Sequence, residues 1–319
     1  MGSSAFLNAL MELSGILNES CKLFLKNRKL MFFVMVLPLF LNSAVYLINF
    51  FSIKAEVTNL ILESSLLSTT DPNTLEYSAL LMRIFSDIRL FVGSAYIFLV
   101  VHFIVSLFFS VAVVRASALT HAGKNVQFRT FLVLTVKSWK QLLVTYFYIT
   151  LFVLGYLFLF LITLLPVLLF SPGFSYLKAR GIVVWIIFAV FESYLAIVWQ
   201  LSVVISILEE TYGIQALGKA ARIAKGMKPS LFLVNLSVGI LSLGLGQCIR
   251  LSNGTYPSTG NVLIGLVVVN SLFLVNMFRL VVYTVSYFHC KSVHGEEVEL
   301  QGYVEYTKIP SELLVGNNV

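Results

Sequence analysis

Residues 142–170, LLVTYFYITLFVLGYLFLFLITLLPVLLF, run for 29 positions without a single charged side chain. About 20 consecutive apolar residues cross about 30 Å of hydrocarbon as α-helix, at about 1.5 Å of rise each. Buried helices of soluble proteins seldom need so long a run. The same pattern recurs along the chain, and membrane spans are expected near residues 31–53, 90–115, 142–170, 182–208, 231–249 and 262–289. Pro38 and Pro166 fall inside spans, where a missing N–H kinks the helix. Composition agrees: hydrophobic types make up 58% of the 319 residues and charged types 12%, whereas a soluble domain is about a quarter charged. The expected fold class is all-α integral membrane, a six-span helical bundle forming one domain over residues 1–319.

Lysine and arginine orient it. Fifteen of the 22 basic residues lie in the N-terminal segment, in the second and fourth connections and in the tail, against six on the opposite side and Arg279 within a span. Positive loops stay in the cytosol, so both termini are expected there, in the endoplasmic reticulum or the plasma membrane. Asn253-Gly254-Thr255, a glycosylation acceptor, falls in the fifth connection, on the outer side of this topology. The net charge of +7 has this same origin. With no basic patch interleaved with aromatics outside the spans, nucleic acid is not an expected partner.

Before the first span, Phe6, Leu10, Leu13, Leu17 and Phe24 recur at helical spacing among polar residues. They predict an N-terminal amphipathic helix, too polar to span, lying in the interface or packed on the cytosolic face of the bundle. Glu12 and Glu19 in this segment rule against a cleavable leader, and Phe6 stands where a myristoylation motif needs Ser or Thr. The three cysteines fit no zinc or haem spacing and no disulfide framework. Cys21 and Cys290 flank spans on the cytosolic side, where palmitoylation occurs; unmodified thiols fit equally well.

The second and fourth connections resemble each other. Each leaves a span, turns at a glycine (Gly123, Gly213) and continues as a basic amphipathic segment. Each then reaches a Lys-x-x-Lys step, Lys137 to Lys140 and Lys225 to Lys228. These read as interfacial cytosolic helices, and either an internal repeat or convergence on a basic membrane-facing helix accounts for the likeness. Lys137, Lys140, Lys219, Arg222, Lys225 and Lys228 are the expected contacts to anionic headgroups. The first connection, about residues 54–89, breaks at Thr70-Asp71-Pro72-Asn73 and predicts a turn between two short helices.

The most distinctive stretch, residues 204–226, reads VISILEETYGIQALGKAARIAKG. An apolar span ends in Glu209, Gly213 and Ala216 follow, and a basic helix closes on Lys225-Gly226. This resembles a pattern in plant multi-pass membrane proteins of unknown function. It is also similar to the membrane portion attached to some bacterial glycerophosphodiester phosphodiesterases. Ala220 stands where those families carry serine. The resemblance implies a membrane fold and no chemistry, since catalysis in the bacterial enzymes belongs to a separate soluble barrel.

Polar residues at depth are costly and mark candidate function. Glu192 lies in the fourth span, Arg279, Asn270 and Asn276 in the sixth, Asn235 in the fifth and His102 in the second. They line a polar path, or they serve folding, with Glu192 and Arg279 paired or each bonded to neighbours. No catalytic constellation, metal site or cofactor is expected: Ala122-Gly123-Lys124 lacks the rest of a phosphate loop, no nucleophile elbow occurs, and His289, Cys290, His294, Glu296 and Glu297 lie where a span frays into the tail. The expected function is a non-enzymatic membrane protein that organises lipids or binds partners. The alternative is a transporter or channel for a small solute or lipid, using polar residues in spans four to six.

Overall fold

The computed structural model describes residues 2–26, 28–123, 128–170, 174–209, 211–226, 228–252 and 259–293. Among them there is no strand. Eight α-helices follow in order: α1 (Gly2–Lys26), α2 (Arg28–Thr69), α3 (Leu75–His121), α4 (Phe128–Leu169), α5 (Phe174–Leu208), α6 (Ile214–Ile223), α7 (Lys228–Ser252) and α8 (Thr259–Val293). A 3₁₀ turn, Ala224–Gly226, joins α6 to α7. Six helices are long and apolar enough to cross a membrane: α2 to α5, α7 and α8. The chain is a multi-pass integral membrane protein. Helices are the form a lone segment takes in lipid, because all their backbone groups bond internally.

Several helices outrun the expected spans. α2 has 42 residues and α3 has 47; 42 residues extend about 63 Å, twice the hydrocarbon thickness of about 30 Å. The apolar run ends near residue 53, yet no Gly or Pro interrupts the chain before Pro72, so the helix continues. The two short helices expected in the first connection are thus extensions of α2 and α3. The turn between them is where the sequence places it. Asp71 accepts from the Asn73 N–H at 3.0 Å through its side chain and from the Thr74 N–H at 3.1 Å through its carbonyl. Thr74 Oγ1 then accepts from the Tyr77 N–H at 3.3 Å, and Glu76 stands in the first turn of α3, as an N-terminus favours.

Among the described residues the second connection holds no separate helix. Its basic segment from residue 128 onward is the beginning of α4 itself, which runs unbroken for 42 residues. In the fourth connection α6 is a distinct ten-residue element. Pro229 occupies the first turn of α7, where proline costs no hydrogen bond. Pro38 and Pro166 lie inside α2 and α4 as expected.

By packing, the chain forms two compact units: Met1–Met31, Ser110–Ile240 and Asn276–Val319 in one, Phe32–Phe109 and Leu241–Val275 in the other. The first holds nearly all the buried side chains, including Val111, Val114, Leu142, Leu201, Val204, Leu231 and Tyr283. Small residues on its facing helices, Ala116, Ser117, Ser202, Ser206, Ala216 and Ala220, are fully buried and permit the close backbone approach that drives association in lipid. Most of its hydroxyls are satisfied on their own helix: Ser117, Thr120, Thr284 and Ser286 each donate to the carbonyl four residues back at 2.8 Å.

The second unit is mostly exposed apolar surface, suited to lipid. It is held by polar contacts between helices. Asn42 Nδ2 donates to Asn270 Oδ1 at 3.3 Å and Asn270 Nδ2 to Ser43 Oγ at 2.8 Å. Glu56 accepts from Ser94 at 3.0 Å. The Tyr46 hydroxyl occupies the place a side chain at Gly265 would take.

Candidate functional site

In the first unit, α5 ends in buried apolar residues and the chain turns at Glu209 to begin α6. The Glu209 carboxylate is 11% exposed. One oxygen accepts from Lys219 Nζ of α6 at 2.7 Å; the other accepts from the Tyr287 hydroxyl of α8 at 2.5 Å and lies 3.3 Å from Lys291 Nζ. Lys291 is itself only 8% exposed, with its ammonium 5.8 Å from the Tyr287 ring centre. Burial pushes the Glu209 carboxyl up, but the Lys219 and Tyr287 hydrogen bonds and the two ammonium charges outweigh it. The group sits below the ordinary carboxylate range. One anion thus ties α5, α6 and α8.

The same turn is docked on α4. Gly213 has φ +63°, and its N–H donates to Thr145 Oγ1 at 2.9 Å. A Cβ at this position would stand 3.1 Å from the Tyr148 ring, so glycine is required twice, for its φ and for its missing side chain. Nearby, the buried Arg115 guanidinium of α3 donates to Ser138 Oγ of α4 and to the Ile207 carbonyl of α5 at 3.4 Å. Arg115 therefore belongs to the core, not to a solvated connection. α1 docks on the same unit, burying Ile16, Ser20 and Leu23. Ser230 of α7 donates to its Glu12, and Glu19 lies 3.7 Å from His121, whose ring stacks on Phe288 at 4.5 Å.

A second polar group lies within the helices of this unit. Arg279 of α8 is in electrostatic reach of Tyr146 and Tyr283, and its buried Nε makes no hydrogen bond. The Tyr283 hydroxyl and the Asn235 side chain are buried neighbours on α8 and α7, within reach of a hydrogen bond to each other. Asn235 Nδ2 donates to the Ser193 carbonyl at 3.0 Å, and Tyr146 is hydrogen-bonded to Ser110.

The residues singled out in the sequence divide accordingly. Glu192 is exposed on α5, beside Tyr156, and among the described residues it forms no ion pair with Arg279. His102 is exposed on α3 and Asn276 on α8, while Asn270 joins Asn42 and Ser43. Of the expected headgroup contacts, Lys137, Lys140, Arg222 and Lys225 are exposed. Lys219 instead folds inward to Glu209, and the side chain of Lys228 lies outside the described residues. Cys21 is exposed, but Cys290 is 1% exposed. Asn253 lies outside the described residues. Among the described residues no group of His, Cys, Asp or Glu is arranged to hold a metal.

The roles of Arg115, Tyr287 and Lys291 do not follow from their sequence. Each sits at a span end, where a polar residue reads as interfacial. Only Glu209, ending a long apolar run beside a glycine turn, carries a local signal.

A family described as a domain of unknown function (DUF8558) matches residues 7–308. No curated protein and no solved structure matches the chain.

Proposed function

The chain belongs to the DUF8558 family, and we propose that it is a non-enzymatic membrane protein that organises anionic lipids at its cytosolic face. The carrying observation is a division among the cations. Lys219 and Lys291 are turned inward to neutralise Glu209, whereas Lys137, Lys140, Arg222 and Lys225 are exposed, and among the described residues none of these four forms an ion pair. An exposed basic residue at an anionic membrane surface contributes about 1 kcal/mol. The exposed Tyr212 and Ile214 at the start of α6 add amphipathic anchors of the kind that favour the interface. In this reading both termini lie in the cytosol, in the endoplasmic reticulum or plasma membrane. The likeness to plant multi-pass proteins and to the membrane portion of the bacterial phosphodiesterases is part of the same proposal.

The test is lipid enrichment. The full chain is reconstituted in nanodiscs of mixed phosphatidylserine and phosphatidylcholine, and bound lipid is quantified by mass spectrometry. Enrichment of phosphatidylserine is expected, falling with salt. It should be lost when Lys137, Lys140, Arg222 and Lys225 are all changed to Gln. Equal enrichment in that variant would overturn the reading.

The transport alternative draws on Arg279, whose buried Nε makes no hydrogen bond among the described residues. Glu192 is exposed on α5 and forms no pair with Arg279 among the described residues, so the pairing that a folding role for both would use is missing. Single cysteines at positions 192 and 279, in a chain without native cysteines, discriminate. Labelling of both by an impermeant thiol reagent would favour a water-filled path, and protection of both, with a labelled loop control, a sealed bundle.

A further inference from the structure

We infer that the hairpin made by the end of α2 and the beginning of α3 docks a second copy of this chain through one apolar face that lies beyond the hydrocarbon. Residues 31–53 and 90–114 carry no Asp, Glu, Lys or Arg, and about 20 such residues fill the apolar layer. Residues 54–89 carry eight charged side chains, from Lys54 to Arg89. Both helices nevertheless run on to the turn at Asp71. From Lys54 to Thr69, α2 adds about 24 Å of helix outside the hydrocarbon.

Spacing fixes how the two helices pair. Leu60, Glu63 and Leu67 of α2 and Leu80, Ile84 and Asp87 of α3 are half-buried at steps of three and four. They form the seam of an antiparallel helix pair, and Glu56 accepts from Ser94 across it at 3.0 Å. Val57, Leu81 and Ile88 each stand one place after a seam residue, which puts them on the same side in both helices. Ile61, Met82 and Phe85 extend that side outward. All six are exposed, Met82, Ile61 and Phe85 by 72%, 64% and 61%. Between Val57 and Ile88 this side holds no charged residue. Its hydroxyls Ser64, Ser68 and Ser78 donate to carbonyls of their own helices at 3.0, 2.7 and 2.7 Å, so covering them strands no donor. The opposite side mixes Leu62 and Leu66 with exposed Asn59, Glu76 and Arg83.

Area and geometry select the occupant. Side chains of this size offer on the order of 100 Å² each, about 600 Å² per copy. Two such faces bury about 1,200 Å², enough for a specific interface. α2 has no Gly, and no Pro after Pro38, so its outer part stands off the bilayer instead of folding onto it. A face without charge does not select an acidic or basic partner. A second copy in the same bilayer presents the identical face, parallel and at the same height, and a two-fold axis along the hairpin joins the two. The shared bilayer also lowers the orientational cost of meeting.

The experiment uses the full chain, with Cys21, Cys248 and Cys290 changed to Ala, in dilute phosphatidylcholine vesicles. Ile61→Cys and Phe85→Cys should form a covalent dimer with a short bis-maleimide several-fold more than Ala79→Cys and Ser86→Cys, which lie on the opposite side. Single-molecule photobleaching should count two copies of the parent per spot. Ile61→Glu combined with Phe85→Glu should return the count to one with helix content unchanged, because neither side chain is buried within the chain. A single copy in the parent, equal cross-linking on both sides, or two copies persisting in the double Glu variant would each overturn the proposal. In the single-copy case, protection of Phe85→Cys from an impermeant maleimide in nanodiscs would give the face to lipid, and labelling would leave it to a different protein.

Discussion

The two connections that carry a glycine and a Lys-x-x-Lys step are alike in sequence and unlike in structure. Gly123 and Gly213 both have positive φ, +66° and +63°, so the chain turns the same way after α3 and after α5. Around Gly123 nothing among the described residues lies within 4 Å of the point where a Cβ would stand, and the basic residues from Arg129 onward lie within α4. Around Gly213 the Tyr148 ring closes in, Thr145 holds the N–H, and Glu209 fastens α6 to α8. A shared pattern of turn and basic helix thus specifies the local backbone, while the neighbours decide whether the segment is open or locked. The lock is one carboxylate.

Removing that carboxylate is expected to have the largest effect. Glu209→Gln strands Lys291, 8% exposed, and Lys219 as uncompensated charges. Breaking a buried pair from one side costs about 3–5 kcal/mol; exposure of Lys219 places the expectation near the lower end. Unfolding of the reconstituted chain measures it. The pH dependence has a fixed sign. The Glu209 carboxyl lies below its ordinary range when folded, so its stabilisation is full above that range and fades as pH falls through the folded value. Acid unfolding should start below the ordinary carboxylate range in the wild type, and Glu209→Gln should remove that dependence. A Glu209→Gln chain as stable as the parent would dissolve the contrast between the two connections.

The glycines give a second, smaller test. Alanine at either position meets the left-handed backbone penalty of about 1–2 kcal/mol. At Gly213 it also presses on Tyr148 at 3.1 Å, and crowding in a packed site adds about 1–3 kcal/mol. Gly213→Ala should therefore destabilise more than Gly123→Ala, whose cost is the backbone term alone. Equal losses would mean that Tyr148 yields freely and that the second turn is no more closely docked than the first. Tyr148→Ala in the Gly213→Ala background should recover the excess.

What the sequence made legible follows from which interactions are periodic. Apolar runs set the six spans, and Asp71-Pro72 set the α2–α3 turn, because solvent preference and proline act locally. Helix ends were less legible: nothing between residues 54 and 71 breaks a helix, so hydropathy ended the span where the backbone did not. The site was legible in part. Glu209 and Gly213 carry local signals, but their partners Tyr287, Lys291 and Thr145 lie 68 or more residues away, and such pairing has no local signature. Lys219 is the sharpest case. Beside Arg222 and Lys225 it reads as one more headgroup contact, and only the α5–α6 turn redirects it to Glu209.

That redirection yields the smallest and most discriminating effect. Lys219→Gln removes a half-buried hydrogen-bonded ion pair and should cost about 1 kcal/mol, as a charge-assisted bond shared with solvent does. Arg222→Gln and Lys225→Gln, three and six residues along, touch no carboxylate among the described residues and should stay within about 0.5 kcal/mol of the parent. Lipid enrichment should invert the order, with Arg222 and Lys225 mattering and Lys219 hardly at all. Three neighbouring cations on α6 and the 3₁₀ turn after it would then separate cleanly by which way they face. If all three changed stability alike, α6 would be a docked helix throughout; if all three changed lipid enrichment alike, the Glu209 lock would be too weak to hold Lys219 from the membrane surface.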